Sequence, residues 1–455
     1  MGTPPVFTKT RLAAVLALCW PAVLQGMVST LVFATDRLII GRYASEALSA
    51  MAIASPTAWS VTSIFGAYMA GVVAITGRAV GAMDAPRARV TLQSSLAFAF
   101  FVGLLVAAAA WLFRDPLVML LTSEAETSPG VRQNAKDYLA IVLSAAPLFF
   151  LASTSTAALQ SSGDTRTPML IAIVAGIVNL GVSWALVFGH FGLPELGLKG
   201  AAFGTVAAFS SQGIIALIVL LRRKGTLRLT GEGSNEERKN TLLAVLRVSR
   251  AAFGEKVIYH LAYIGAIAIV GHLGDTAMAA HESLLGIEAI GFTAAGGFAI
   301  AAGALVAQQM GRHDGEEAYR CGQSAAGLGL LVGLGFGAIL ILFPYQLIGI
   351  FTTDEEVIKT GAQCLRIAAI AQPAMILADT WSGALRGAGD TVTPMISAIL
   401  GPVFVRIFFC YLFAWYLGFG LVGFWIGTTL DWYVRATWTG TVFYRRRWIA
   451  KYSDL

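Results

Sequence analysis

The chain has 455 residues, of which 56% are hydrophobic and 13% charged, with a net charge of +6. A soluble domain carries about 25% charged residues, so this composition excludes a large soluble domain. Continuous apolar runs such as 92–113 and 170–188 come close to the ~20 residues a helix needs to cross a bilayer, and their lack of alternation excludes a β-barrel.

Residues 1–9 are short and lead straight into the first apolar run, so no cleavable signal is predicted. Twelve spans are predicted in order, over 12–36, 47–77, 91–113, 134–158, 168–189, 199–222, 246–270, 278–308, 320–343, 361–385, 394–416 and 420–444. A polar, basic segment follows the sixth. It opens with Arg222-Arg223-Lys224 and fills 231–239 with charged and small residues. The predicted fold is therefore an all-α, polytopic membrane protein. Residues 1–224 form a six-helix lobe, 225–245 a cytoplasmic linker, and 246–455 a second six-helix lobe. Cys19, Cys321, Cys364 and Cys410 are isolated in apolar segments, which fits core packing and not a disulfide or metal cluster.

The two halves repeat. Leu159-Gln160-Ser161-Ser162-Gly163-Asp164-Thr165-Arg166-Thr167-Pro168-Met169 returns as Leu385-Arg386-Gly387-Ala388-Gly389-Asp390-Thr391-Val392-Thr393-Pro394-Met395, with seven of eleven positions identical at an offset of 226. Gly163 and Gly389 suit the left-handed position after a helix. Thr167 and Thr393 suit an N-cap, and the prolines a first helical turn. Asp164 and Asp390 fit a capping role better than a catalytic pair. Gly81-Ala82-Met83-Asp84 matches Gly311-Arg312-His313-Asp314 at an offset of 230, and Pro147 matches Pro373 at 226. The first half thus holds four extra residues near 124–132. Six spans per half is an even number, so both halves enter the membrane the same way and should be related by a twofold axis along its normal.

With both termini inside, cytoplasmic ends and loops hold 21 Lys and Arg and the other side 7. This places the chain in the cell's inner membrane with cytoplasmic termini. The basic charge then describes a membrane face, and no nucleic-acid partner is implied.

There is no P-loop, zinc-protease helix or nucleophile elbow. Gly418-Phe419-Gly420-Leu421-Val422-Gly423 matches a dinucleotide pattern but follows no strand, and reads as a loop with close helix packing. Ionisable residues inside the spans are costly and mark ion or substrate paths. They are Asp36, Arg37, Glu255, Lys256, Glu282, Glu288, Asp379, Arg406 and Asp431. Scaffold residues should recur in both halves, and functional ones need not. Glu255 mirrors Gln25, Asp379 mirrors Ser153, Glu288 mirrors Ala58, and Asp431 mirrors Thr205; Asp36 mirrors Ala266 and Asn179 mirrors Val405. The acids break the repeat, and most lie in the second half. A cation site is therefore expected at Glu255 and Asp379, with Na⁺ one candidate, supported by Glu288 and by Tyr259 one turn after Glu255. Arg406 and Lys256 can each neutralise part of it. Spans 2 and 8 are long and glycine-rich, which fits a gate between rocking lobes.

The two Gly-Asp-Thr-x-Thr-Pro connections, Pro21 fifteen residues before Asp36, Val270-Gly271 through His281, and Gly297-Phe298 through Gln308-Gln309-Met310-Gly311 together resemble the multidrug and toxic compound extrusion (MATE) transporters over nearly the whole chain. The resemblance implies two six-helix lobes around a cleft. It also implies export of cationic, amphipathic small molecules in exchange for Na⁺ or H⁺, by a monomer in contact with membrane lipid and without a further cofactor. It sets Glu255 and Asp379 at a second-lobe cation site, and Asp36 and Asn179 in a first-lobe polar cluster. Ser183 stands where several members carry an aspartate. The competing readings are a lipid-linked saccharide flippase, expected to have a basic cavity, and a membrane-embedded enzyme.

Overall fold

A computed structural model describes residues 8–122, 127–223, 226–230 and 233–453. Among them ten helices are long and apolar enough to cross a membrane, and one bent pair makes eleven. These are α1 (Lys9–Tyr43), α2 (Ser45–Gly81), α3 (Ala85–Leu121), α4 (Pro129–Ser144 with Ala146–Ser161), α5 (Arg166–Phe188), α6 (Leu198–Arg222), α7 (Asn235–Gly271), α8 (Asp275–Gly311), α9 (Gly315–Leu342), α10 (Glu355–Gly387) and α11 (Val392–Tyr416). The twelfth expected span is α12 (Gly420–Tyr444), a helix made less apolar by Asp431 and Arg435.

Several helices outrun the expected spans. At ~1.5 Å per residue the 37 residues of α8 exceed a ~30 Å hydrocarbon core, so its ends project beyond it. The linker is shorter than 225–245. Ser234 accepts from the Glu237 amide while the Glu237 carboxylate accepts from the Ser234 amide, and this reciprocal cap starts α7 at Asn235. The four extra first-half residues fall partly on 123–126, outside the described residues.

The repeat holds at the level of single contacts. Gly103 of α3 lies against the Pro147 backbone of α4, and Gly333 of α9 against the Pro373 backbone of α10. Gly163 and Gly389 have φ of +90° and +93°. The caps that follow differ from expectation. The aspartates do the capping, because Asp164 Oδ1 accepts from the Thr167 amide at 3.0 Å and Asp390 Oδ1 from the Thr393 amide at 3.1 Å. Thr167 and Thr393 are already helical, and their hydroxyls donate to the same carboxylates at 2.8 and 2.7 Å.

Where the lobes meet, they meet backbone to backbone. A methyl group on Gly81 of α2 would strike the Gln308 carbonyl of α8, and one on Gly311 of α8 would strike the Arg78 carbonyl of α2. Arg78 Nη2 donates to the Ala388 carbonyl at 2.7 Å, and Gln308 Nε2 to the Ser161 carbonyl at 2.8 Å. Arg11 of α1 forms a two-pronged ion pair with Glu317 of α9 at 2.5 and 2.7 Å. Ser249 Oγ of α7 donates to the Tyr68 carbonyl. These ties lie toward one end of the bundle, the basic face on which α1 begins and α12 ends. Trp59 of α2 and His260 of α7 meet edge-on further along, with ring centres 5.0 Å apart. The lobes are thus closed at the basic face.

Candidate functional site

In the second lobe the acids come with cations. Arg386 Nη2 donates to Glu255 Oε1 at 2.5 Å. Arg406 donates to Asp431 Oδ2 through Nε at 2.8 Å and Nη2 at 2.6 Å. Arg435 Nη2 lies 3.8 Å from Asp379 Oδ1, an ion pair beyond hydrogen-bond reach. Lys256 is surrounded by Glu255, Arg386, Asp379 and Arg435. Glu288 has an amide instead, from Gln372 Nε2 at 3.4 Å. The expected acidic excess is absent: four carboxylates share this region with four cations.

The mirror positions explain it. Glu255 mirrors Gln25 and Arg386 mirrors Gln160, and in the first lobe Gln160 Nε2 donates to Gln25 Oε1 at 3.1 Å. A neutral amide pair in one lobe is a charged pair in the other, at the same place. Symmetry breaking at Glu255 is therefore shared with its partner. Arg386 lies one residue past the predicted span 361–385, so it falls outside the intramembrane set; the paired change at 160 and 386 is its signal in the sequence. Arg435, inside the predicted span 420–444 and one helical turn after Asp431, is a second cation of this region that the sequence offers.

Tyr259 lies among Arg406, Arg435, Asp379 and Asp431, between two ion pairs. Among the described residues no group of three or more His, Cys, Asp or Glu converges to hold a metal. Glu255 is engaged by Arg386, so a Na⁺ held by Glu255 and Asp379 together does not fit this arrangement.

The first lobe is different. Asp36 of α1 is 5% exposed. Its Oδ2 accepts from Asn179 Nδ2 of α5 at 3.4 Å, and its Oδ1 is buried with no hydrogen-bond partner. The Ser183 hydroxyl and the Tyr138 ring are beside it, with Ser55 and Thr205 near the Tyr138 hydroxyl. Among the described residues no cation forms an ion pair with Asp36. An intramembrane carboxylate with amide and hydroxyl neighbours and one free oxygen can hold a proton or a Na⁺, and such a buried orphan calls for a functional account.

The register of α11 changes what faces this cluster. Helices α5 and α11 start together, at Arg166 and Val392, an offset of 226. The α5 helix is regular, whereas α11 is π-helical over Ile399–Arg406 and again over Leu412–Tyr416. Beyond the first π segment the contacts shift. Gly204 of α6 packs on Ser183 and Gly427 of α12 on Cys410; Gly200 packs on the Leu186 carbonyl and Gly423 on the Phe413 carbonyl. The α5–α11 offset has become 227, and the α6–α12 offset is 223. Asn179 therefore mirrors Arg406, not Val405, and Asp431 mirrors Ala208, not Thr205.

A family model described as MatE matches residues 21–185 and 251–412. A probable multidrug resistance protein NorM of Thermotoga maritima is 28% identical over 435 residues, covering 95% of this chain and 92% of its own. Multidrug resistance protein PmpM of Pseudomonas aeruginosa is 26% identical, covering 95% and 88%. Among solved structures, the outward-facing conformation of a multidrug resistance MATE family transporter superposes with a TM-score of 0.88 at 19% identity, covering 98% and 97% of the two chains. A MOP superfamily transporter of Pyrococcus furiosus, described by a binding pocket of reversed polarity, gives 0.87 at 20% identity over 98% and 97%.

Proposed function

From the premise that the chain belongs to the MatE family, multidrug efflux transporters and not enzymes, we propose that it exports cationic, amphipathic small molecules in exchange for an inward-moving H⁺ or Na⁺ that binds at Asp36. No other cofactor is required. The single observation that carries this reading is that Asp36 is a buried carboxylate with one oxygen unpartnered and, among the described residues, no ion pair, while Glu255, Asp379 and Asp431 of the second lobe are each ion-paired to an arginine. A bound ion neutralises Asp36 without the cost of an unpaired buried charge. A cationic substrate competes for the same negative charge. Ion and substrate then exclude one another, and that exclusion links the ion gradient to export.

The basic face lies in the cytoplasm, the closed face in this conformation, and the chain sits in the inner membrane as a monomer with its own cleft. Asn179 orients the carboxylate. Asp379, partly exposed at 27% and loosely held by Arg435, is the second-lobe acid open to substrate, and Glu255 with Arg386 braces the helices beside it. Ethidium export from proteoliposomes under separate pH and Na⁺ gradients tests the reading. Asp36→Asn should abolish gradient-driven export and weaken ethidium binding, and the binding that remains should no longer respond to Na⁺ or pH. Asp379→Asn should weaken ethidium binding and keep the ion dependence. Wild-type export by Asp36→Asn would move the coupling site elsewhere.

A further inference from the structure

The corrected register brings two facts together. In the first lobe the acid comes from α1 (Asp36), its partner from α5 (Asn179), and α6 contributes Ala208. In the second lobe the place of Asp36 is taken by Ala266, the place of Asn179 by Arg406, and the acid comes from α12 as Asp431 at the place of Ala208. Each lobe thus has one buried carboxylate facing the same position on its fifth helix. In the first lobe that position offers a neutral amide at 3.4 Å; in the second it offers a guanidinium that donates twice to Asp431 Oδ2. Asp431 is fully buried. The groups around Arg406 are Asp431, Tyr259, Cys410 and Glu288, and Arg435 follows Asp431 by one turn on α12.

Resting on the assignment of the coupling ion to Asp36, we propose that the Arg406 guanidinium is a tethered cation that occupies in the second lobe the role the mobile ion plays in the first. The π segment of α11 is the device that delivers it. One extra residue inside the helix turns the following side chains by about 100°. Without it Val405 would face Asp431 and leave a buried acid unpaired. With Arg406 in place the second lobe has a permanently filled site, and the transporter couples to one ion per cycle through the first lobe alone.

Arg406→Asn makes the second-lobe pair chemically like Asp36 with Asn179. The full chain, purified in detergent, is assayed for radioactive Na⁺ bound per chain and for protons taken up per chain on a step from alkaline to mildly acidic pH, each counted above the Asp36→Asn/Asp431→Asn double variant. Wild type should bind one ion and Asp36→Asn none. Arg406→Asn should bind two, the second disappearing when Asp431→Asn is added. Arg406→Lys should stay at one and export like wild type. Should Arg406→Asn fail to fold, the Arg406→Asn/Asp431→Asn double variant removes both charges and should bind one ion and export at the wild-type ion ratio. Two ions in wild type, or one in a folded Arg406→Asn, overturns the tethered cation. An ion that survives Asp36→Asn overturns the assignment of Asp36 instead, and the gain on Arg406→Asn is still read separately.

Discussion

At the residue scale, the two repeat aspartates show how one carboxylate holds a helix start. Asp164 sits outside the spans and accepts from the Thr167 amide and hydroxyl and from Arg223 Nη1 at 2.7 Å. Burial works against its charge, yet the Thr167 bonds and the Arg223 guanidinium outweigh it and hold the carboxyl below its usual range. Asp390 is buried more deeply, at 4% exposure, and takes a bond from the Tyr452 hydroxyl in place of the arginine. Asp164→Ala and Asp390→Ala should each cost about 1 kcal/mol, as lost caps do, with transport per folded molecule preserved; thermal unfolding and dye export measured on the same samples decide. A depressed folded-state pKa contributes stability that is present above the unfolded value of about 3.9 and is lost as pH falls through the folded one. The gap in melting temperature between wild type and Asp164→Asn should therefore close below about pH 4. The aspartates were legible as caps from the Gly-Asp-Thr-x-Thr-Pro pattern. That they cap in place of Thr167 and Thr393 was not, because the choice turns on where the helix starts, two residues before each proline.

At the element scale, helices were legible wherever apolar character runs unbroken, and Pro147 and Pro373 paired as the repeat alignment required. The register of α11 was hidden. An extra residue absorbed as a π segment leaves no loop or gap, and Gly401-Pro402 marks an irregular helix without saying that a residue has been added, so a single offset carried across it misassigns every later pair. Only the packing of Gly200, Gly204, Gly423 and Gly427 exposes the shift. The charges of the second lobe were hidden for a related reason: Arg386 and Arg435 lie far from their acids in sequence or helix face, and composition does not pair them. The π segment should tolerate little change. A side chain at Gly401 would collide with Asp431 Oδ1 and the Arg435 side chain. Gly401→Leu should destabilise the protein by an overpacking cost of about 1–3 kcal/mol and loosen α11 from α12; limited proteolysis and thermal unfolding should show both.

At the scale of the whole molecule, the lobes close where backbones touch. The α2–α8 crossing depends on two glycines, one from each half, each lying on a carbonyl of the other helix. In a bilayer such close approach, not apolar burial, holds helices together. Gly81→Leu and Gly311→Leu should each disfavour the conformation closed at the basic face. Labelling of cysteines placed in the cleft should become faster from the basic side and slower from the other, while Gly335→Ala, with open space around it, should change neither. The Arg11–Glu317 pair spans the same closure. Replacing both with cysteine and oxidising them should stop export, and reduction should restore it. Export unaffected by the cross-link would contradict rocking lobes.

The crossing of Gly81 over Gln308 and of Gly311 over Arg78 has the form of an isologous dimer contact, in which each partner offers the other the same patch. Among the described residues, the chain between α6 and α7 contributes neither glycine nor carbonyl to it. Severed in that connection, the two six-helix halves retain both sides of their own seam. Produced as separate polypeptides in one cell, they should find each other and rebuild a working exporter, held together as a heterodimer is.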